Sequence, residues 1–171
     1  MNAGAMGSCM ADCLESVEWM DGQGHIHIIN TVDLDFRYRS CPSLKEGVVL
    51  SAILRKRGQE EPEQVKAKTE SYALHRKKTQ PRAPSAGCAF KNPALYPAGF
   101  LIDQCGLKGF EKGKAKISDL HANFLINTGC ARSQEVIDLV RTVRSEVLSK
   151  RGIVLEPELL LLGRSWDELL S

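Results

Sequence analysis

Residues 133–152 have the sequence SQEVIDLVRTVRSEVLSKRG, which is the clearest structural pattern in the chain. Ser133 is of a type that caps the first turn of a helix, and Gly152 is typical of the position just past the last turn. Between them, apolar residues recur at steps of three and four, as on one face of a helix: Val136, Leu139, Val140, Val143 and Val147. The stretch therefore predicts a long helix that packs one side on a core.

Shorter elements are predicted on both sides of this helix. Lys114–Ser118 and Asn123–Asn127 have the composition of two strands before it, and Ile153–Leu155 that of a strand after it. Ala98–Cys105 is a predicted short helix that Gly106 ends. With these elements the predicted fold class is α+β.

A second long helix is predicted from residue 60 to about residue 78. Pro62 and its acidic neighbours suit a first turn, where backbone amides are unpaired and the helix dipole favours negative charge. The inner side of this helix is expected to carry Val65, Thr69, Tyr72 and Ala73. Two prolines, a serine and a glycine within Thr79–Gly87 predict a loop after it.

The first 58 residues are all-β in character. Glu15–Met20 and His25–Asn30 are predicted strands, and the glycines within residues 21–24 predict a hairpin turn between them. Gly47–Arg55 predicts a third strand that is largely buried. These strands are too few to close a sheet and cover both of its faces, so we expect exposed apolar surface on this part.

The composition is that of a globular protein. Of the 171 residues 43% are hydrophobic and 26% charged, and the formal net charge is +2, which offers no electrostatic footprint for nucleic acid or an anionic membrane. The longest aliphatic run, Leu159–Leu162, is far shorter than the roughly 20 residues that span a bilayer. The N-terminus lacks a basic leader and an apolar stretch, so a cytoplasmic location is expected.

The cysteines and histidines do not form a pattern of metal ligands. None of the six cysteines belongs to a C-x-x-C pair, which favours free thiols in a reducing compartment. His25 and His27 would share one strand face, and without a third ligand nearby we interpret that face as solvent-exposed. No metal is therefore expected.

Three side chains are hard to explain by packing alone. Arg39 follows an aromatic residue at the end of a strand-like run, and Cys88 follows a glycine where a loop enters a strand. Glu158 lies in apolar sequence, where a carboxylate needs a partner or a task. Each has a plain alternative, namely a surface ion pair, core packing and a salt bridge. Together they offer a cation, a proton donor and an acid, which can stabilise an enolate and protonate carbon.

Several segments resemble, in the same order, those of the UDP-N-acetylenolpyruvoylglucosamine reductase (MurB) family. They extend over nearly the whole chain: residues 2–7, 38–40, 76–81, 85–93, 98–109, 121–127 and 155–158. The resemblance implies an NADPH-dependent flavoenzyme that reduces UDP-N-acetylglucosamine enolpyruvate to UDP-N-acetylmuramate for bacterial peptidoglycan. The short link from Pro93 to Ala98 resembles the compact class of the family, which lacks an extra loop over the substrate.

The resemblance implies roles for the three side chains. NADPH would reduce bound FAD, the flavin would pass a hydride to the enolpyruvyl methylene carbon, and Arg39 and Glu158 would stabilise the resulting enolate. Cys88, where most relatives have serine, would protonate the neighbouring carbon. A thiol is a stronger acid than a hydroxyl, but it makes the site sensitive to oxidation.

Binding residues follow from the same resemblance. The positions similar to contacts with the sugar nucleotide are Asn92, Gln104, Lys108 and His121. Those similar to the end of a glycine-rich loop around the FAD pyrophosphate are Asn2, Ala3, Gly4 and Gly7.

Family members have a flavin-binding region before the part that this sequence resembles, so we expect the chain to be the C-terminal part of such a protein. Met1 would then be an internal methionine, or the gene would be truncated or split, and the preceding region is a candidate partner. Residues 1–58 would end the FAD-binding domain, and residues 59–151 would form the substrate-binding domain. Residues 152–171 would be a terminal strand, returning to the flavin domain, and a tail.

Two other functions remain open. A non-catalytic module that binds the UDP-sugar would result if the substrate domain folds alone while the flavin site cannot form. A small basic nucleic-acid binder has only two clusters in its favour, Arg55–Arg57 and Arg76–Lys78.

Overall fold

The computed structural model describes residues 1–56 and 58–170, which form two compact units. Unit 1 is Met1–Tyr72 and unit 2 is Ala73–Ser171. Arg57, in one of the two basic clusters, and the last residue of the predicted tail lie outside the described residues. The boundary between the units falls within the helix Pro62–Thr79 (α1), and the predicted domain limits at residues 58 and 151 stay predictions.

Unit 1 is built from short antiparallel strands. Gly4–Ala5 (β1) pairs with Ser8–Cys9 (β2). A three-stranded sheet of order β4-β3-β5 is formed by Leu14–Asp21 (β3), Ile26–Asn30 (β4) and Gly47–Leu54 (β5). The predicted hairpin between β3 and β4 is confirmed. Three 3₁₀ helices lie at Met10–Asp12, Thr31–Asp33 and Pro42–Leu44.

The core of unit 1 is small, and much apolar surface is left uncovered. Its buried apolar residues are Leu14, Val17 and Leu34. The strand predicted at Gly47–Arg55 exists, but its predicted burial is wrong: Val48 is 55% and Ile53 57% exposed, because β5 is an edge strand with both faces open. The predicted exposed apolar surface on this part is thereby confirmed.

α1 has the predicted extent but no buried side. Its described residues are all outside the core, and the predicted inner residues Val65 and Tyr72 are 48% and 37% exposed. The expected inner face is therefore wrong. Its apolar residues are spread among lysines and glutamates and do not form a continuous stripe.

Unit 2 contains a four-stranded antiparallel sheet of order β6-β9-β8-β7. Its strands are Ser85–Cys88 (β6), Glu111–Lys112 (β7), Ala115–Ile117 (β8) and Phe124–Asn127 (β9). β8 and β9 confirm the two predicted strands. The predicted loop Thr79–Gly87 is shorter than expected, since Ser85 already pairs with Ile126.

Three helices complete unit 2: Ala98–Gln104 (α2), Ser133–Arg151 (α3) and Trp166–Leu170 (α4). α2 and α3 are confirmed, and the buried face of α3 includes the predicted Leu139, Val140, Val143 and Val147, all 0% exposed. Gly152 has the left-handed conformation that ends a helix, with φ of +68°. Ser133 is the first helical residue and not the cap, because the Glu135 carboxylate accepts the preceding Arg132 amide at 3.0 Å.

The segment after α3 is irregular. The strand predicted at Ile153–Leu155 is wrong: among the described residues, this segment forms only an isolated bridge between Pro157 and Phe90. Its predicted return to the flavin domain stays a prediction. Pro157 has no N–H to extend a ladder. Leu155 is nevertheless 0% exposed in the core of unit 2, so burial anchors the segment. Separate antiparallel sheets with helices make the predicted α+β class correct.

Candidate functional site

Cys88 lies where β6 passes from the surface into the core of unit 2. Gly87 before it has φ of +86°, a conformation that glycine adopts without strain. Ala89 and Phe90 after it are 0% and 1% exposed, and Cys88 pairs in register with Phe124 of β9. The thiol is therefore half-buried on a backbone that its neighbours hold firmly.

The irregular terminal segment brings Glu158 beside this backbone. The Glu158 N–H donates to the carbonyl oxygen of Ala89 at 2.8 Å, and the Lys91 N–H donates to that of Glu156 at 2.9 Å. Lys91 and Glu156 also form a side-chain ion pair. The antiparallel pairing therefore places Glu158 opposite Ala89, the residue that follows Cys88, although the two segments are far apart in the sequence.

A cavity of about 260 Å³ opens next to Cys88 within unit 2. It brings together four of the residues predicted to form a site: Cys88, Asn92, Lys108 and His121. Phe100 and Leu120 contribute apolar lining. The polar lining thus combines a thiol, a carboxamide, an imidazole and the ion pair of Lys108 with Asp103, which together can hold a polar small molecule.

His121 is fixed in one tautomer. Its Nδ1 accepts a hydrogen bond from the Asn123 N–H at 3.2 Å, so in the neutral ring Nε2 carries the proton. The ring also contacts Phe124 edge to face, with centroids 4.9 Å apart. Burial lowers the pKa of His121, and the positive charge of Lys108 lowers it further. The imidazole is therefore a neutral hydrogen-bond donor through Nε2.

Two polar side chains of the cavity are held by hydrogen bonds. Lys108 Nζ is 2.7 Å from the Asp103 carboxylate, and Asn92 Oδ1 accepts the Ala98 N–H, at the start of α2, at 3.0 Å. Gln104, at the end of α2, is not among the lining residues, and its carbonyl oxygen accepts from Arg151 at 3.1 Å. A binding role for Gln104 stays a prediction.

Asn123 is a cavity residue to which the sequence analysis assigned no role. It is 2% exposed, and its carboxamide both accepts from the Phe90 N–H at 3.0 Å and donates to the Phe90 carbonyl at 2.8 Å. The signal was a polar residue between apolar residues at the start of a strand, which has to find partners when it is buried.

Arg39 belongs to unit 1, at a tight turn. Arg37 and Ser40 exchange backbone hydrogen bonds at 3.0 and 3.2 Å, and Arg39 between them has φ of +55°, which is uncommon for a residue with a side chain. Its guanidinium lies over the Tyr38 ring, 5.1 Å from the centroid. Such strain is found at functional positions, which makes Arg39 a candidate on structural grounds as well.

The predicted cofactor loop lies next to Arg39. A Cβ placed on Gly4 would be 3.4 Å from Arg39 Nη1 and 3.0 Å from the Ser8 carbonyl, so this position requires a very small residue. Gly7 has φ of +79° and open space around it. Asn2 and Ala3 hold the loop through their oxygens, which accept the Ala11 and Met10 amides.

Comparison with known proteins gives a consistent result. Residues 80–162 match the family model described as "UDP-N-acetylenolpyruvoylglucosamine reductase, C-terminal domain". The UDP-N-acetylenolpyruvoylglucosamine reductase of Synechococcus elongatus is 42% identical over 169 residues, 98% of this chain. That of Protochlamydia amoebophila is 44% identical over 161 residues, 93% of this chain. The chain belongs to this reductase family.

The match also sets the extent of the chain within the family. The crystal structure of UDP-N-acetylenolpyruvylglucosamine reductase (MurB) from Thermus caldophilus superposes with a TM-score of 0.76 at 40% identity, over 92% of this chain and 56% of that one. The aligned parts are 56% and 53% of the Synechococcus and Protochlamydia proteins. The chain therefore spans about half the length of the family members that it matches.

The described residues contain neither a candidate metal centre nor a candidate membrane-spanning helix. Within residues 1–56 and 58–170, no three or more histidine, cysteine, aspartate or glutamate side chains form a group that could hold a metal ion. Among the helices in that part of the chain, none combines the length and apolar character needed to cross a membrane.

Proposed function

We propose that this chain supplies the substrate site and the proton donor of an NADPH-dependent reductase that converts UDP-N-acetylglucosamine enolpyruvate to UDP-N-acetylmuramate. Support comes from the cavity beside Cys88, whose polar lining coincides with four of the residues carried over from the family. The names of the relatives support the reaction class. The reaction would serve peptidoglycan synthesis.

Cys88 is proposed to complete the reduction. A flavin held in the family's site would supply the hydride chemistry at the methylene carbon of the enolpyruvyl group, with NADPH as its reductant. The electron pair of the double bond then moves toward the carboxylate, and the Cys88 thiol donates its proton to the neighbouring carbon. The thiolate left behind regains a proton from solvent, so atoms and charge balance.

Arg39 and Glu158 are proposed to act on the charge that develops at the substrate carboxylate. A guanidinium offers two parallel N–H donors to a carboxylate, and a carboxylic acid can donate one more proton in a hydrogen bond. The position of Glu158 beside the Cys88 backbone supports a role in the same step.

The sugar nucleotide is proposed to occupy the cavity next to Cys88. Lys108 would bind an anionic group, while His121 Nε2 and Asn92 would donate to oxygens of the sugar. Gln104 is proposed from the family resemblance alone.

The flavin is proposed to contact the loop of unit 1 that carries Asn2, Ala3, Gly4 and Gly7. The support is Gly7, whose φ of +79° and open surroundings leave room for a phosphate to approach the backbone. Asn2 and Ala3 would shape the loop, since their oxygens already accept backbone amides.

The open sheet of unit 1 supports a further partner, the part of the family's length that this chain does not span. Ile26 and Ile28 on β4 and Val48 and Ile53 on β5 are 55–74% exposed, more than a stable isolated sheet leaves open. Covering them with the remaining flavin-binding region would complete the domain. A cytoplasmic location is proposed from the six free thiols, which fit a reducing compartment.

A binding module without catalysis is the second candidate. The observation that favours it is that the cavity is formed entirely by unit 2 residues. Such a module would bind the UDP-sugar without flavin chemistry.

Reassembly with a relative tests both proposals. The chain is expressed alone and together with the part of the Synechococcus elongatus reductase that it does not align with. We expect the pair to show a flavin absorption band and to oxidise more than one equivalent of NADPH per flavin only when the enolpyruvyl substrate is present, and the chain alone to bind the UDP-sugar without colour. A pair that binds flavin, lets NADPH reduce it and still does not turn over the substrate refutes the reductase and supports the module.

A further inference from the structure

Asn123 makes hydrogen bonds in two directions. Toward the Cys88 strand, its carboxamide pairs with both backbone groups of Phe90, and its carbonyl oxygen accepts the Ala89 N–H at 2.7 Å. Toward the other side of the cavity, its N–H donates to His121 Nδ1 at 3.2 Å. One buried residue therefore connects the backbone after Cys88 with the imidazole.

We propose that Asn123 is a positioning residue that fixes the Cys88 thiol relative to His121. A shorter side chain would leave the amide and carbonyl of Phe90 without their buried partner, and unpaired buried groups are expensive, so the backbone after Cys88 would move toward solvent. The catalytic meaning of this positioning rests on the proposed function. The positioning itself does not.

The chain contains a matched control at the other end of β9, which Asn123 directly precedes. Asn127 ends β9, and its Oδ1 accepts the Gly129 and Ala131 amides at 2.9 and 3.0 Å. These bonds hold the turn that carries Cys130, an exposed thiol. Asn127 thus does for the backbone around Cys130 what Asn123 does for the backbone after Cys88.

Alkylation of the full chain, mapped by mass spectrometry for each cysteine, tests the proposal. Asn123→Ser is expected to raise the alkylation rate of Cys88 at least tenfold while that of Cys130 stays within twofold. Asn127→Ser is expected to leave the rate at Cys88 within twofold of wild type. If Asn123→Ser leaves the rate at Cys88 unchanged, or accelerates both cysteines equally as a general loss of stability would, the proposal is overturned.

Asn123→Asp adds a rescue that a merely structural role would not show. A protonated carboxyl can accept from the Phe90 N–H and donate to its carbonyl, as the carboxamide does, whereas an ionised one repels that carbonyl. With a disulfide reagent that reacts in acid, such as dithiodipyridine, the ratio of Cys88 to Cys130 reactivity should be near wild type at low pH. At pH 8 it should exceed the wild-type ratio tenfold. Asn123→Ser should show no such pH rescue, and equal behaviour of the two variants contradicts the proposal.

The labelling experiments need no flavin, NADPH or substrate, so their result is independent of the reductase proposal. In the reassembled enzyme, Asn123→Ser is expected to lower kcat at least tenfold while NADPH reduces the flavin at the wild-type rate. Unchanged kcat together with altered Cys88 labelling would refute the catalytic consequence and leave the reductase assignment intact.

Discussion

The Glu158 N–H donates to the carbonyl oxygen of Ala89 over 2.8 Å, which holds the backbone of Glu158, from the last part of the chain, next to the residue that follows Cys88. This pairing gives an irregular segment a defined place. The family resemblance implies the roles of Glu158 and Cys88 separately. The pairing shows that both residues belong to one local part of unit 2, so their roles can be tested together.

Glu158→Gln is expected to slow substrate turnover by about 100-fold in the reassembled enzyme, the usual effect of removing one preorganised group. The amide keeps the shape of the side chain but has no acidic proton. The measurement is single-turnover reduction of the enolpyruvyl substrate by prereduced enzyme.

Glu156→Gln is the matched control for Glu158. Glu156 lies two residues away, and its side chain is 68% exposed and paired with Lys91. Exposed ion pairs contribute little, so turnover should change less than threefold. A loss below threefold for Glu158→Gln as well would limit Glu158 to a structural role.

Cys88→Ala is expected to abolish turnover while NADPH still reduces the flavin at a rate within twofold of wild type. Alanine removes the proton donor without touching the Gly87 turn or the core contacts of Ala89. Stopped-flow absorbance of the flavin separates the two half-reactions. Turnover at the wild-type rate would exclude Cys88 as the donor.

Cys88→Ser provides the complementary result. A hydroxyl can donate the same proton but is not oxidised by peroxide as a thiol is. Serine should therefore retain turnover and make it resistant to hydrogen peroxide, which should inactivate the wild type. Equal peroxide sensitivity of both proteins would place the oxidised group elsewhere.

Local patterns predicted the elements of this fold well. The buried face of α3 and the hairpin of β3 and β4 follow from periodicity and turn residues, which depend on nearby sequence. The exposure of Val48 and Tyr72 cannot be predicted from such local patterns, because burial depends on which other elements cover a strand or helix. Pro157 shows the same limit, since its bridge to Phe90 depends on a distant strand.

The candidate site was predictable where chemistry left a residue unexplained by packing. Cys88 is such a residue, whereas Lys108 and His121 were predicted from the family resemblance, and the fold places all three around one cavity. Asn123 was assigned no role, because the role of a buried asparagine depends on its hydrogen-bond partners and the sequence alone does not show these partners. Gln104 lies in a segment that matches the family, and its backbone carbonyl oxygen accepts a hydrogen bond from Arg151. Its binding role stays a prediction.

Leu155→Ala is expected to destabilise unit 2 by about 2–5 kcal/mol, since a fully buried leucine is replaced by a cavity. Leu155 anchors the segment that carries Glu158, so the substitution should also reduce turnover. Urea unfolding followed by the fluorescence of Trp166, in a Trp19→Phe background, reports on this unit. Val154→Ala, at a side chain 53% exposed, should change stability by less than about 0.5 kcal/mol. If the two variants lowered the free energy of unfolding equally, the burial of Leu155 would not be what anchors this segment.

Glu135 should make the stability of unit 2 fall in acid. Its carboxylate accepts the Arg132 amide at 3.0 Å and the Lys114 amide at 3.2 Å. These backbone hydrogen bonds, that of Arg132 first, lower the pKa of Glu135 below its ordinary value of 4.5. Because the folded pKa is the lower one, the stabilisation is present above about pH 4.5 and is lost as the pH falls through the folded value.

Glu135→Gln should therefore flatten this pH dependence. We expect its urea midpoint to lie below that of the wild type at pH 6 and to fall less on going to pH 3. Glu146→Gln, on the same helix but paired with Lys150 at the surface, should keep the wild-type slope. Gly113→Ala offers an independent check, because a Cβ at residue 113 would lie 2.2 Å from Glu135 Oε1 and would force the carboxylate away. The φ of residue 113 is +59°, so alanine would also strain the backbone there. Gly113→Ala should destabilise unit 2 at pH 6 and also flatten the pH dependence of the urea midpoint. If both Glu135→Gln and Gly113→Ala keep the wild-type pH dependence, another group causes the loss of stability in acid.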